Sequence, residues 1–288
     1  MSHSASRRAP AIACGACGMN AGEYVGTIPF YLKSGEIDTS LWYCQQCGTY
    51  TRDADFEDPT ISGHFEVASY TDPVAEECLR EIRSGYFSYL AVLLEEHGGR
   101  SLRGLRILDV GTAFGHFLER LRDVGAEPEG VEIVERLREL ATQRGLTVHS
   151  QIPGTEGGTF DVITVIDSLY YAHDPLALLE RLRTLLRPGG FLVIRVANRT
   201  WLLGMLRVVG FSIGGDRFGD AKFNFSVHGI AFLLERAGLR AERIVWLERG
   251  KADPRAFMRM YYRVSAFLSE YLSLRVSPGM IVVVRPES

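Results

Sequence analysis

From Leu105 onward, short runs of apolar residues alternate with stretches in which apolar positions recur every three or four residues. The runs predict strands over 105–110, 130–134, 147–150, 160–166, 191–196, 241–246 and 280–284. The helical periods predict helices over 116–124, 135–144, 175–186, 229–237 and 254–272, several of them stopped by glycine or by Pro-Gly. Strand and helix alternating at this spacing is the rhythm of parallel βαβ units, so the fold class is α/β. Ahead of this region, Thr71-Asp72-Pro73 reads as a helix start, followed by an amphipathic run through Leu79, Ile82, Tyr86, Tyr89, Leu90 and Leu93 that Gly98-Gly99 ends. Up to about Asp58 the pattern is different: short apolar pieces between glycine, cysteine and turn residues.

This organisation gives a disordered tail (1–10), a small cysteine module (11–58), a helical linker or lid (59–100) and a catalytic-size α/β domain (101–288). A glycine-rich, aromatic insertion at about 198–228 is expected to build an acceptor pocket. The length of 288 residues suits one medium domain with an appendage. A hydrophobic share of 46% is enough to close a core. The net charge of −3 lacks the broad cationic footprint of a dedicated nucleic-acid binder. The start carries Arg7-Arg8 with no apolar segment behind it, and no stretch approaches the ~18 apolar residues needed to span a bilayer. The chain is therefore read as soluble and cytoplasmic, with a small molecule as its partner and no membrane span; oligomeric state is not legible.

The strongest local signal is Ile107-Leu108-Asp109-Val110-Gly111-Thr112-Ala113-Phe114-Gly115-His116-Phe117: an apolar strand, a turn of small residues, then a helix. Small side chains at Gly111, Ala113 and Gly115 let backbone approach a ligand, and the helix start offers free N–H groups. About twenty positions on, Glu132 stands near the end of the next strand, where a carboxylate can accept from both hydroxyls of a ribose. His116 either faces such a ligand or simply begins the helix.

In order and spacing these segments resemble the class I S-adenosylmethionine-dependent methyltransferases, in particular those acting on small molecules. The match runs through the Asp109-to-Gly115 loop, Glu132, Phe160-Asp161-Val162-Ile163 leading to Asp167-Ser168-Leu169, the Leu186-Arg187-Pro188-Gly189-Gly190 turn before Phe191-Leu192-Val193, and Ala197-Asn198. The resemblance implies a doubly wound, Rossmann-like seven-stranded sheet whose last strand is antiparallel, which suits the strand at 280–284. It implies S-adenosylmethionine as cofactor: Asp109, Gly111, Thr112, Ala113 and Gly115 about the methionyl part, Glu132 at the ribose, Gln151 and Ile152 beside adenine, Asp167 and Ser168 at the methionine side, with Ile133 also among the cofactor-binding residues. A nicotinamide dinucleotide fits poorly, because its pyrophosphate needs glycine where Thr112 or Ala113 stands.

Methyl transfer from a sulfonium is an in-line displacement and needs alignment more than covalent machinery. Where relatives carry Glu-His, this chain reads Asp167-Ser168-Leu169-Tyr170-Tyr171-Ala172-His173-Asp174-Pro175. Tyr171 stands at the histidine position, so Tyr170, Tyr171 and His173 are the catalytic candidates. The competing reading has the tyrosines packing beneath the acceptor and His173 beside the cap of the next helix. Tyr70 and Tyr86 either close over the cofactor or pack helices.

Cys14-Gly-Ala-Cys17-Gly18 and Cys44-Gln-Gln-Cys47-Gly48 form two C-x-x-C-G knuckles. Four thiolates from two such turns can surround one Zn²⁺ tetrahedrally and fill its shell, so Cys14, Cys17, Cys44 and Cys47 are read as ligands of a structural zinc. The fifth cysteine, Cys78, is read as a packed small hydrophobe. The function expected is methyl transfer to a natural-product, sugar or lipid-linked small molecule. Two alternatives stand beside it: an RNA methyltransferase, since some ribosomal RNA guanine methyltransferases also place a zinc ribbon first, and a non-catalytic S-adenosylmethionine-binding protein.

Overall fold

The computed structural model describes residues 13–32, 35–55, 73–154, 158–246, 256–272 and 274–287. The tail, Tyr70 and the Thr71-Asp72 helix start lie outside these, as do the side chains of Cys78 and Leu79. In chain order the elements are β1 (Gly22–Leu32), β2 (Gly35–Cys44), β3 (Tyr50–Asp53), α1 (Pro73–Gly98), β4 (Arg106–Val110), α2 (His116–Asp123), β5 (Glu127–Val131), α3 (Glu135–Gln143), β6 (Thr147–His149) and β7 (Phe160–Ile166). There follow α4 (Pro175–Leu185), β8 (Leu186–Ala197), α5 (Thr200–Val208), α6 (Gly215–Phe218), β9 (Phe223–Asn224), α7 (Val227–Arg236), β10 (Leu239–Val245), α8 (Ala256–Tyr271) and β11 (Gly279–Pro286).

The larger sheet has seven strands in the order β10-β11-β8-β7-β4-β5-β6. The last strand of the chain, β11, runs antiparallel to both its neighbours, β8 and β10, while β8, β7, β4, β5 and β6 pair in parallel. The expected α/β sheet with a reversed final strand is thus the observed one. β4 lies between β5 and β7, so the chain leaves the middle of the sheet in both directions, and the crevice at the carboxyl end of β4 is the switch point where such sheets hold ligands.

Alternation along each strand fills two faces. Leu108, Ile163, Leu192, Ile194 and Val282 pack against Leu179, Leu182 and Leu185 of α4 and Ile230, Leu233 and Leu234 of α7. Ile107, Val162, Val193, Ile281 and Val283 pack against Phe117 and Leu121 of α2 and against Tyr86, Leu90, Leu93 and Leu94 of α1. Each such side chain, fully buried, stabilises the fold by about 1.5–3 kcal/mol. The second half of α1 is therefore a layer of the domain, and Tyr86 is a packing residue at 1% exposure.

Three elements differ from their sequence expectation. The strand expected at 130–134 is Glu127–Val131, so Glu132 sits just beyond the strand rather than inside it. The Arg187-to-Gly190 turn is not a connection ahead of the strand. Leu186 already pairs with Phe160 and Phe191 with Val162, so the turn is looped out of β8 as a bulge. Residues 22–32 and 35–44 are not a set of short pieces but a long antiparallel hairpin, β1 with β2, to which β3 adds. This smaller sheet is finished by β9, whose Asn224 and Phe223 face Tyr50 and Thr51 of β3. Part of the insertion at 198–228 thus belongs to the amino-terminal sheet.

Candidate functional site

β4 delivers Asp109 and Val110 to the crevice, and the chain then turns through Gly111, Ala113 and Gly115, all left-handed at φ 80, 48 and 79. Two of these positions need glycine for reasons inside the protein. A Cβ on Gly111 would meet the Ser168 Cβ at 2.4 Å, and one on Gly115 would meet Leu146 at 2.5 Å and Ala141 at 3.2 Å. The absence of side chains therefore lets the loop after β7 and the helix α3 close onto this turn. Ala113 is the left-handed residue with a side chain, an arrangement that costs energy and is held by its surroundings.

Glu132 is what holds it. Its Oε2 accepts from the Ala113 amide at 2.8 Å and its Oε1 from the Val134 amide at 2.9 Å. The carboxylate is 6% exposed, and burial pushes its pKa up. Beside it Ile133, 79% exposed, offers a large apolar side chain to solvent at the carboxyl edge of the sheet. Asp109 is buried and accepts from the Thr164 hydroxyl at 2.6 Å. Ser168 donates to the Val110 carbonyl at 2.6 Å. Asp167, left-handed at φ 59, is ion-paired with the buried Arg195 of β8. Gln151 is exposed and Ile152 half-buried past the end of β6. Asp109, Gly111, Thr112, Ala113, Gly115, Glu132, Ile133, Asp167 and Ser168 thus gather at one end of the sheet.

Burial lifts the Asp109 carboxyl from its ordinary 3.8 to about 6, opposed by the hydroxyl bonds it accepts. A carboxyl whose folded pKa is raised favours folding most when protonated. Its contribution is complete below pH 4 and is lost as pH rises through 6, a difference of about 3 kcal/mol. Asp109→Asn, which keeps an acceptor for Thr164, is expected to flatten this part of the stability profile between pH 4 and 8. Denaturant unfolding at both pH values checks it, and an unchanged slope in the variant would assign the pH dependence to other groups.

Sequence reasoning missed several partners. Glu76, on the first turn of α1, reaches over to His116 Nε2 at 3.2 Å and ion-pairs with Arg144, whose guanidinium also donates to the Phe114 carbonyl at 2.9 Å. Burial holds the His116 imidazole below its usual range. His116 is therefore engaged by α1 rather than by the crevice. Arg195 carried a signal, a lone charge in a buried apolar strand; Glu76 carried none.

Of the catalytic candidates, Tyr170 and Tyr171 touch with ring centroids 4.6 Å apart and planes inclined at 59°. Tyr170 packs on the main core, and burial keeps its phenol protonated by pushing it well above its ordinary value. Tyr171 packs against Phe30 and Leu32 of β1. His173 is more than half exposed, with Nδ1 3.7 Å from Asp55 Oδ1. The loop of candidates thus faces the amino-terminal sheet.

The four cysteine sulfurs lie within 4.8 Å of one another. Cys14 Sγ is 3.6 Å from Cys47 Sγ, and Cys17 Sγ is 3.5 Å from Cys44 Sγ. In each knuckle the glycine is left-handed and its amide returns to the first cysteine's carbonyl, Gly18 to Cys14 and Gly48 to Cys44, both at 2.8 Å. The knuckles are also seated on the α/β domain. Ser226 at the start of α7 bonds the Cys47 carbonyl, Arg236 bonds the Ala16 carbonyl at 2.9 Å, and the cysteines share the core of Phe223, Phe225 and Ile230.

With the sheet order and this crevice in place, comparison with known proteins decides the family. A family model for a methyltransferase domain matches residues 80–250, more than half of the chain. The chain belongs to the class I methyltransferase family. Ubiquinone biosynthesis O-methyltransferase of Haemophilus ducreyi is 32% identical over 123 residues, covering 38% of this chain and 52% of that protein. The enzyme of the same description from Xylella fastidiosa is 33% identical over 120 residues, covering 38% of this chain and 49% of that protein. This methyltransferase chain spans about half the length of the curated relatives it matches. Among solved structures, a magnesium protoporphyrin IX methyltransferase from Synechocystis with bound S-adenosylmethionine superposes with TM-score 0.51 at 17% identity, covering 82% of this chain and all of that one. The PH0226 protein of Pyrococcus horikoshii does so with TM-score 0.51 at 17% identity, covering 78% and 99%. These likenesses show the shared fold. No helix among the described residues is long and apolar enough to cross a membrane.

Proposed function

We propose that this chain transfers a methyl group from S-adenosylmethionine to a hydroxyl oxygen of a small molecule, with the four cysteines holding a structural zinc. The observation that carries the reading is the Glu132 carboxylate, fixed by two loop amides beside a solvent-facing Ile133 at the carboxyl end of β4 and β5. A carboxylate so braced keeps lone pairs for two sugar hydroxyls, and an exposed branched side chain next to it suits one face of a purine. Ser168, with Asp167 next to it, closes against the left-handed turn at Gly111 and borders the crevice there. The choice of oxygen rests on the curated relatives, which are described as O-methyltransferases.

S-adenosylmethionine, when bound, supplies an electrophilic methyl carbon. The protein's part is to align the acceptor and to take its proton. The packed surroundings of Tyr170 push its phenol up and favour the protonated form, and Tyr171 is packed on β1, so His173, with Asp55 behind its Nδ1, is assigned the proton. His173→Asn is expected to lower turnover about 100-fold with unchanged affinity for S-adenosylhomocysteine. Parent-like turnover would leave alignment as the whole of the catalysis. The reading itself is tested by calorimetry: the methyl donor and its demethylated product are expected to bind one per chain, and absence of binding by both would overturn it.

The cysteine cluster fits a Zn²⁺ site by its donor set, four sulfurs within mutual reach and mostly buried. Four thiolates leave no open position for chemistry, so the metal's role is to hold the knuckles.

A further inference from the structure

Arg52, on β3, is fully buried, and its Nε, Nη1 and Nη2 have no hydrogen-bond partner among the described residues. Its guanidinium carbon lies 4.3 Å from the Phe30 ring centre and 5.0 Å from that of Phe218. Aromatic faces attract a cation but satisfy none of its five N–H donors, and a buried charge with no partner costs several kcal/mol. Arg195, the other buried arginine among the described residues, has Asp167. Asp220 and Tyr171 act on Arg52 only through space, and burial pulls the guanidinium down to about 10.

The position of this cation is what gives it meaning. The Arg52 amide donates to the Lys222 carbonyl at 2.8 Å, and the Lys222 amide donates to the Tyr170 carbonyl at 3.0 Å. Lys222 Nζ in turn reaches the His173 carbonyl at 3.3 Å. Tyr171, next in the chain, rests on the same Phe30 that lies beneath Arg52. Arg52 is therefore two backbone hydrogen bonds from the loop that follows Asp167-Ser168, at the seam where the amino-terminal sheet meets the methyltransferase crevice.

We propose that Arg52 binds an anionic group of the acceptor, a carboxylate or a phosphate, at this seam, with Phe30 and Phe218 flanking the contact. That the ligand is the acceptor rests on the methyl-transfer reading; that an anion is the missing partner does not. The planar fork matches two oxygens of either group, and Tyr171 is the side chain that must turn aside to admit them. The substrate class narrows accordingly: a hydroxylated small molecule that is also an acid or a phosphate ester.

The test uses the full chain saturated with S-adenosylhomocysteine, as parent, Arg52→Met and Arg52→Lys. The probes are inorganic phosphate and 3,4-dihydroxybenzoate, with catechol as the uncharged control. In the parent, one of the two anions is expected to raise the melting temperature while catechol does not, and which one succeeds distinguishes phosphate from carboxylate. Arg52→Met is expected to melt no lower than the parent without ligand and to bind that anion roughly ten- to hundredfold more weakly, with Arg52→Lys between. No anion effect in the parent, or an undiminished one in Arg52→Met, overturns the proposal. So does a lower melting temperature in Arg52→Met with anion binding retained, which makes Arg52 a packing residue. Affinity for S-adenosylhomocysteine, measured in the same samples, reports separately on the methyltransferase reading.

Discussion

Stripping the metal from this protein is expected to loosen the α/β domain as well as the amino-terminal sheet. Cys14, Cys44 and Cys47 lie in one apolar cluster with Phe223, Phe225, Ile230, Leu233 and Leu234, and Ser226 and Arg236 of the α7 region bond carbonyls within the knuckles. Four thiolates brought this close repel one another without a cation, so what a structural zinc contributes on folding, of the order of 10 kcal/mol in small zinc modules, would here support both units. One zinc per chain is expected. Cys47→Ser should remove it and lower the melting temperature by roughly 10 °C or more, since each kcal/mol shifts a chain of this size by a few degrees. Amide hydrogen exchange should rise both in 13–55 and in α7. A metal-free protein with parent-like melting and protection in both regions would sink the zinc assignment and the coupling together.

The second large effect is expected at Glu132. Removing the carboxylate in Glu132→Ala takes away two acceptors for sugar hydroxyls, each charge-assisted, and should weaken S-adenosylhomocysteine binding about 100-fold or more. It also orphans the Ala113 and Val134 amides, which it now satisfies at 2.8 and 2.9 Å. The variant should therefore lose some stability as well, about 1–3 kcal/mol for each amide that water does not reach. Glu132→Gln separates the two roles only in part, because its side-chain NH2 confronts one of the amides it should accept from. Calorimetry with S-adenosylhomocysteine and denaturant unfolding measure the two losses. Equal affinity in Glu132→Ala and parent would remove Glu132 from the cofactor site.

What could be read along the chain, and what could not, divides by distance. The Asp109-to-Gly115 turn, the acidic Glu132 after the next strand and the C-x-x-C-G knuckles are local patterns, set by periodicity and by residue types that tight turns and metal shells require. The turn at the end of β4 and the gathering of the four cysteines are both present in the fold. The reasons for Gly111 and Gly115 were not local: their missing side chains make room for Ser168, and for Leu146 and Ala141, which lie far along the chain. The hairpin of β1 and β2 escaped because glycine, proline and cysteine interrupt its alternation, and pairing across ten backbone positions overrides weak local preference. The role of His116 depends on Glu76, forty residues earlier, which no local pattern connects to it.

The sequence by itself determined the α/β class, the glycine turn after β4 and the two cysteine knuckles, because hydrophobic period, glycine conformation and cysteine spacing are properties of short segments. Only the tertiary structure decided that two strands of residues about 170 apart share one small sheet, that the cysteine knuckles are built into the methyltransferase core, and that Arg52 lies buried beside the loop after β7 with no hydrogen-bond partner for its guanidinium among the described residues. Those outcomes depend on which surfaces exclude water against each other, and that is a property of the packed chain rather than of any window along it.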